Sequence, residues 1–193
     1  MAMLPVGSSI PDLSASAGTA KIVQPGQDRG ICNTDHLMAE RYYTVTWDQL
    51  HRDAKALAWR LIEQPWQGIV AVTRGGLIPA AIIARELECR LVESVSVMTY
   101  EDEARGLPVV TKMPDAAGDG TGFLVIDDLV DTGTTLRAVR TLLPKAHFAC
   151  LYAKPDGKDD IDTFVTEVSQ DTWILFPWDT EPQFVAPIKK QTV

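Results

Sequence analysis

Eleven consecutive residues, Val125-Ile126-Asp127-Asp128-Leu129-Val130-Asp131-Thr132-Gly133-Thr134-Thr135, hold the densest chemistry in the chain. Two adjacent carboxylates follow an apolar run, and a third leads into a glycine and three threonines. Ionised aspartates only accept hydrogen bonds and bind hard cations through oxygen, so Asp127 and Asp128 suit the two hydroxyls of a ribose and an ion such as Mg²⁺. If a helix opens at the threonines, its first N–H groups, the positive end of its dipole and the threonine hydroxyls make a cradle for a phosphate. Gly133 would let the backbone approach closely. Together these residues read as a site for sugar plus phosphate. Taken singly, each has a plainer use: Asp131 or Thr132 as a helix cap, the Asp127–Asp128 pair solvated at a strand end.

Such a cradle needs a strand to deliver the acids and a helix that starts at the threonines, and the flanking sequence supplies both. Residues 123–126 are a buried strand by composition, and Leu136, Val139 and Leu143 fall on the inner face of a helix over 135–143. The same alternation runs along the chain. Residues 42–47 are β-rich, and Asp48 is a candidate N-cap. From there Leu50, Ala54, Leu57, Ala58, Leu61 and Ile62 draw one stripe at helical period until Pro65 stops it. Residues 68–73 read as a strand, 77–87 as a helix, 95–100 as a strand and 147–153 as the last parallel strand. This predicts an α/β fold with a central parallel sheet flanked by helices, and ligands at the carboxyl ends of its strands. The glycines at 118, 120 and 122 precede their strand, the wrong side for a dinucleotide fingerprint, and read as a turn.

All the residues from Asp127 to Thr135, in this order and after a buried strand, resemble the phosphoribosyl-pyrophosphate signature of the type I phosphoribosyltransferases. The resemblance implies that Asp127 and Asp128 contact the ribose hydroxyls and magnesium, with Asp128 the principal metal ligand. It implies that Asp131, Thr132, Gly133, Thr134 and Thr135 hold the 5′-phosphate in a site that includes Leu129 and Val130. Asp131 would also face N7 of the base and act as general base. Thr73-Arg74-Gly75-Gly76 lies between a strand and a helix and looks like the family's pyrophosphate loop, with Arg74 and Gly75 on the anion. In the family this loop commonly contains a non-proline cis peptide, here expected at Thr73-Arg74. Residues 100–108 are polar between two strand-like runs, the composition of a mobile lid hairpin, and Arg105 matches the family's lid arginine.

The base pocket is expected from Tyr152-Ala153-Lys154-Pro155 and from residues 171–179, which form a C-terminal hood. Here the resemblance narrows to the xanthine-guanine branch and covers essentially residues 42–187. It implies that Lys154 donates to O6 of a purine, that Trp173 stacks on its face, and that main-chain groups around Trp173 and Ile174 read the 2-substituent. The substrates implied are phosphoribosyl pyrophosphate and a 6-oxopurine. A hypoxanthine-guanine enzyme, or a nucleotide-sensing regulator on the same fold, are the alternative readings. Three positions depart from the family pattern: Leu175 in place of an acid near the purine, Thr134 in place of a glycine, and Thr73 in place of serine. Trp47, Trp59, Trp66 and Trp178 are expected to pack.

Bulk properties narrow the class. The 193 residues are 46% hydrophobic with 18 basic and 26 acidic side chains, a net charge of −8 that disfavours a general nucleic-acid surface. Cys32, Cys89 and Cys150 are odd in number and widely spaced, which argues against a disulfide framework and a zinc site and points to a reducing cytoplasm. Residues 1–40 carry three prolines without apolar periodicity and read as a flexible extension before a phosphoribosyltransferase domain over 41–193, with Met38 a candidate natural start. The resemblance further implies a homodimer or homotetramer and, for some members, peripheral contact with the inner membrane.

Overall fold

The computed structural model describes residues 41–99 and 108–179. The chain enters through a short strand β1 (Arg41–Thr44) and turns into helix α1 (Trp47–Leu61). The cap of α1 is Thr46 rather than Asp48: its side chain accepts the Gln49 N–H at 3.2 Å, and Asp48 instead places its charge in the first turn. Leu50, Ala54, Leu57, Ala58 and Leu61 are buried as the stripe predicts. Ile62, the C-cap of α1, is 54% exposed, so the last member of the expected stripe does not join the core.

Strand β2 (Gly68–Thr73), helix α2 (Leu77–Glu86), strand β3 (Val92–Thr99) and strand β4 (Pro108–Lys112) follow. Then come β5 (Phe123–Val130), α3 (Thr134–Leu142), β6 (His147–Ala153), β7 (Thr163–Glu167) and β8 (Thr172–Leu175). Six strands form one sheet in the order β4-β3-β2-β5-β6-β7, parallel throughout except for β4, which pairs antiparallel with β3. β6 is therefore not the last parallel strand. β7 was hidden because it is a short edge strand of mixed polarity, Thr-Phe-Val-Thr-Glu, reached through a single 3-10 turn at Lys158–Asp160 instead of an α-helix.

The central strands are continuous apolar runs because both faces are covered. Ile69, Ile126 and Leu151 pack with Leu50, Leu57 and Ile83 from α1 and α2. Val70, Val125 and Phe148 pack with Leu136, Val139 and Leu143 from the α3 side. Since α2 lies on one face and α3 on the other, the strand order switches direction between β2 and β5, and a crevice opens at their carboxyl ends. β1 and β8 form a separate parallel pair, Tyr42 opposite Trp173 and Thr44 opposite Leu175.

The expected roles of the tryptophans divide. Trp178 stacks on Phe176 with centroids 4.8 Å apart, Trp47 meets Trp178 edge-on, and Trp66 packs against the α1–α2 core while its N–H donates to Leu61 O. Trp59 does not pack: it is 71% exposed on the outer face of α1. The glycines before β5 do form a turn, with positive φ at Gly118, Gly120 and Gly122.

Candidate active site

β5 runs further than its apolar residues suggest and keeps pairing with β6 through Asp127, Leu129 and Val130. The two acids thus sit on a rigid strand instead of a loose end. Asp127 Oδ1 accepts the Asp128 N–H at 3.0 Å, and Asp128 Oδ1 accepts the Leu129 N–H at 2.7 Å. Asp127 is only 8% exposed. Burial, reinforced by the charge of Asp128, pushes its carboxyl well above the ordinary range, and burial lifts Asp128 to about 6. A buried and a half-buried carboxyl that resist ionising together suit a divalent cation, which would offset both penalties. Among the described residues no cluster of three or more His, Cys, Asp or Glu could hold a metal ion. The protein would therefore give such an ion one or two carboxylates and leave the rest of its shell to substrate oxygens and water, the usual arrangement for Mg²⁺.

Past Val130 the chain turns through Gly133, whose φ of 75° is a left-handed conformation that costs glycine least, and α3 begins at Thr134. The Thr132 and Thr134 hydroxyls lie 3.0 Å apart at the helix start. Residues 127–136 together with Phe176 line a pocket of about 180 Å³. Asp127, Asp128, Leu129, Val130, Asp131, Thr132, Gly133, Thr134 and Thr135 are thereby gathered around one space, bounded by acids at one side and a helix N-terminus at the other. Phe176, a hydrophobic wall from the hood, was not legible from spacing.

One further sequence-derived residue meets Asp131 beside this pocket. Lys154 at the end of β6 is 5% exposed and donates from Nζ to Asp131 Oδ2 at 3.1 Å. Asp131 Oδ1 accepts from Gln170 Nε2 at 2.7 Å, a contact across 39 residues that no local motif announces. An acceptor and a cationic donor therefore stand side by side at the pocket.

The β2 loop reaches the same crevice. The Thr73-Arg74 peptide is cis, as the resemblance implies. Thr73 Oγ1 is tied to Ser96 Oγ at 2.8 Å and to Val95 O at 3.2 Å, and Arg74 is exposed. A Cβ on Gly75 would lie 2.2 Å from Asp128 Oδ2, so only glycine lets this loop lie against the acid pair. Gly76 does not offer a free amide to an anion: its N–H donates to Val72 O at 2.9 Å. Arg105 and residues 100–107 lie outside the described residues; the strands that flank them, β3 and β4, do form the expected hairpin arms.

The hood is held by strand pairing and aromatic packing. Val45 N–H donates to Leu175 O at 2.8 Å, Ile174 and Leu175 are buried, and Trp173 projects with 60% exposure. Beneath it Tyr152 is fully buried, meets Tyr43 and Phe176 edge-on, and donates its hydroxyl to Asp53 at 2.5 Å. Asp53 and Tyr152 are 99 residues apart, so this brace too escapes a motif search.

A larger depression of about 360 Å³ opens at the opposite, amino end of the strands around Trp66, His147 and Arg140. Its cations are already matched, Arg140 with Asp162 at 3.1 Å and Lys145 with Asp119 at 2.8 Å. The carboxyl-end crevice is the one that joins a helix start to acids that burial makes hard to ionise.

A family model described as a phosphoribosyl transferase domain matches residues 46–184. The xanthine-guanine phosphoribosyltransferase of Gluconobacter oxydans (strain 621H) is 65% identical over 151 residues, 76% of this chain and 90% of that protein. Its counterpart in Desulfotalea psychrophila is 59% identical over 151 residues, 77% of this chain and 93% of that one. The crystal structure of a purine phosphoribosyltransferase from Pyrococcus horikoshii Ot3 is similar with a TM-score of 0.66 and 31% identity, covering 75% of this chain and 99% of that chain. With a helix start, an acid pair and a crevice at the switch of strand order, and with relatives matched over most of their length, this chain belongs to the phosphoribosyltransferase family.

Proposed function

We propose that this protein transfers the 5-phosphoribosyl group from phosphoribosyl pyrophosphate to N9 of a 6-oxopurine, releasing pyrophosphate in purine salvage. Guanine and xanthine are the preferred bases and hypoxanthine is used less well, giving GMP, XMP or IMP. The observation that carries this reading is the Asp131–Lys154 pair, an acceptor and a cationic donor 3.1 Å apart beside the phosphate cradle. One edge of a 6-oxopurine presents the complement, an N7 proton next to an O6 acceptor. Adenine places an amino donor against the ammonium and should be rejected by about 10⁴-fold.

In this reading the N–H groups and hydroxyls of residues 132–135 fix the 5′-phosphate, and Asp127 and Asp128 hold the ribose hydroxyls. Arg74 and the Gly75 amide meet the pyrophosphate, joined by Arg105 from the lid. Asp128, with Asp127 beside it, would hold Mg²⁺, which when bound neutralises charge on the leaving pyrophosphate. Trp173 stacks on the base, and the main chain at Trp173 and Ile174 reads its 2-substituent. Positioning and electrostatics supply most of the acceleration as the ribose gains positive charge. Asp131 accepts the N7 proton, a role worth about 10²–10⁴-fold. Leu175 is buried in the hood and is apolar, so it supplies no polar group at the 2-position.

Among the described residues no helix is long and apolar enough to cross a membrane. A cytoplasmic homodimer or homotetramer, with peripheral contact at the inner membrane, belongs to the same proposal.

The test is pyrophosphate release with guanine, xanthine, hypoxanthine and adenine, each beside a no-base control. Turnover of the three 6-oxopurines and none of adenine is expected, with Asp131→Asn lowering kcat far more than it raises KM. Equal use of adenine, or silence with all four bases from protein that still binds the sugar pyrophosphate, would reject the reading.

A further inference from the structure

Gln170 lies in the turn between β7 and β8, far along the chain from the phosphate cradle, yet its side chain is fixed at both ends. Nε2 donates to Asp131 Oδ1 at 2.7 Å, and Oε1 accepts the Asp156 N–H at 3.1 Å. A backbone N–H can only donate and an ionised carboxylate can only accept, so the two partners dictate which way the amide faces. The turn that supplies Asp156 is itself anchored to the strand that carries the acid. Lys154 N–H donates to Val130 O at 2.9 Å, and Gly157 N–H donates to Lys154 O at 3.1 Å. Gln170 therefore connects Asp131 to a frame that does not depend on substrate.

The other carboxylate oxygen of Asp131, Oδ2, is held only by Lys154 Nζ among the contacts of the described residues. If Lys154 turns to the 6-oxo group of a bound purine, that grip is released and Oδ2 becomes the oxygen that meets N7. A half-exposed aspartate with one hold removed can rotate about its Cβ–Cγ bond, and a proton acceptor displaced by even a fraction of an ångström loses rate steeply. The Gln170 amide keeps the second hold through that exchange.

We propose that Gln170 is a positioning residue for the transfer reaction, keeping the plane of the Asp131 carboxylate aimed at N7 once Lys154 has moved to the base. The proposal rests on the reading of Asp131 as the proton acceptor. It assigns Gln170 no contact with sugar or pyrophosphate, and so separates it from the phosphate cradle in kinetic terms.

The experiment compares the full-length protein with its Gln170→Leu, Gln170→Glu, Asp131→Asn and Gln170→Leu/Asp131→Asn variants, with guanine as base. Gln170→Leu should lower kcat about ten- to hundred-fold while KM for phosphoribosyl pyrophosphate and the melting temperature stay near wild type. Gln170→Glu, which keeps the acceptor for Asp156 but sets a carboxylate against Asp131, should lower kcat at least as far. In the Asp131→Asn background the Gln170→Leu effect on kcat should vanish, because residues acting as one unit are not additive. Wild-type kcat in Gln170→Leu, or the same loss with and without Asp131, would overturn the proposal and leave the role of Asp131 standing. If Asp131→Asn itself keeps wild-type kcat, the reading of Asp131 fails and takes the proposal with it. Should Gln170→Leu melt early, Gln170→Asn, one methylene short with both polar groups kept, reads the same split.

Discussion

Gly133 shows how little freedom the phosphate cradle has. Its φ is 75°, and a Cβ there would lie 1.9 Å from Asp160 Oδ2 and 2.7 Å from Arg137 Nη1, two groups that are themselves paired at 2.5 Å. A Gly133→Ala variant meets both a left-handed backbone costing about 1–2 kcal/mol and a steric conflict with an ion pair, so the turn must open. The expected result is a rise of about ten-fold or more in KM for phosphoribosyl pyrophosphate, measured by initial rates, with KM for guanine changed much less. Gly133 was legible in the sequence as a site candidate because its setting is local: acids, glycine and threonines follow one another within a few residues. Lys154 was legible only through family likeness, and Gln170 not at all, because its partners Asp131 and Asp156 come from other elements and nothing in its neighbours marks it.

The elements were read in proportion to how far burial shaped their sequence. β2, α2, β6 and the stripe of α1 declare themselves through apolar runs or a helical period, since both faces of the sheet are covered. β7 lies at the sheet edge and lacks the apolar run that marks a central strand, whereas β8 is apolar at Trp173, Ile174 and Leu175 but pairs with β1 outside the main sheet, where no alternation of strand and helix announces it. The acids at 127 and 128 looked like a strand's end, whereas hydrogen bonds to β6 carry β5 on through them. The brace between α1 and β6 makes a prediction at this scale. Tyr152 is buried, and burial together with Asp53 holds its phenol above the ordinary range. Tyr152→Phe removes the hydroxyl and leaves Asp53 without that donor, which should cost about 1–3 kcal/mol in urea denaturation. The base panel should keep its order, because the ring that supports Phe176 is retained.

Among the described residues the proposed site lies at the carboxyl ends of the strands, while the amino ends hold the matched pairs Arg140–Asp162 and Lys145–Asp119. His147 lies at the amino ends too. It is half-buried, hydrogen-bonded to Thr163 Oγ1 at 2.8 Å and packed on Trp66, and burial holds its imidazole below the usual 6.5. The unfolded chain therefore binds more protons at this position in the interval just below 6.5. The stability His147 contributes should grow as pH rises through that interval and be complete above it. Wild type compared with His147→Gln by urea denaturation at about pH 5 and about pH 7.5 should show the variant with the flatter pH dependence. The β1–β8 pair has a consequence in time as well as in space. Its strands come from opposite ends of the described chain, so the pair has the longest sequence separation in the fold, and such contacts form late because their loop-closure entropy is largest. On a ribosome the six-stranded sheet and the turn into α3 can assemble while β8 is still being made, and the β1–β8 pair closes last. On the proposed reading, a chain cut short before β8 would keep the Asp131–Lys154 pair and the turn through Gly133, and would emerge without Trp173, Ile174 and the Phe176 wall that close the pocket over a base.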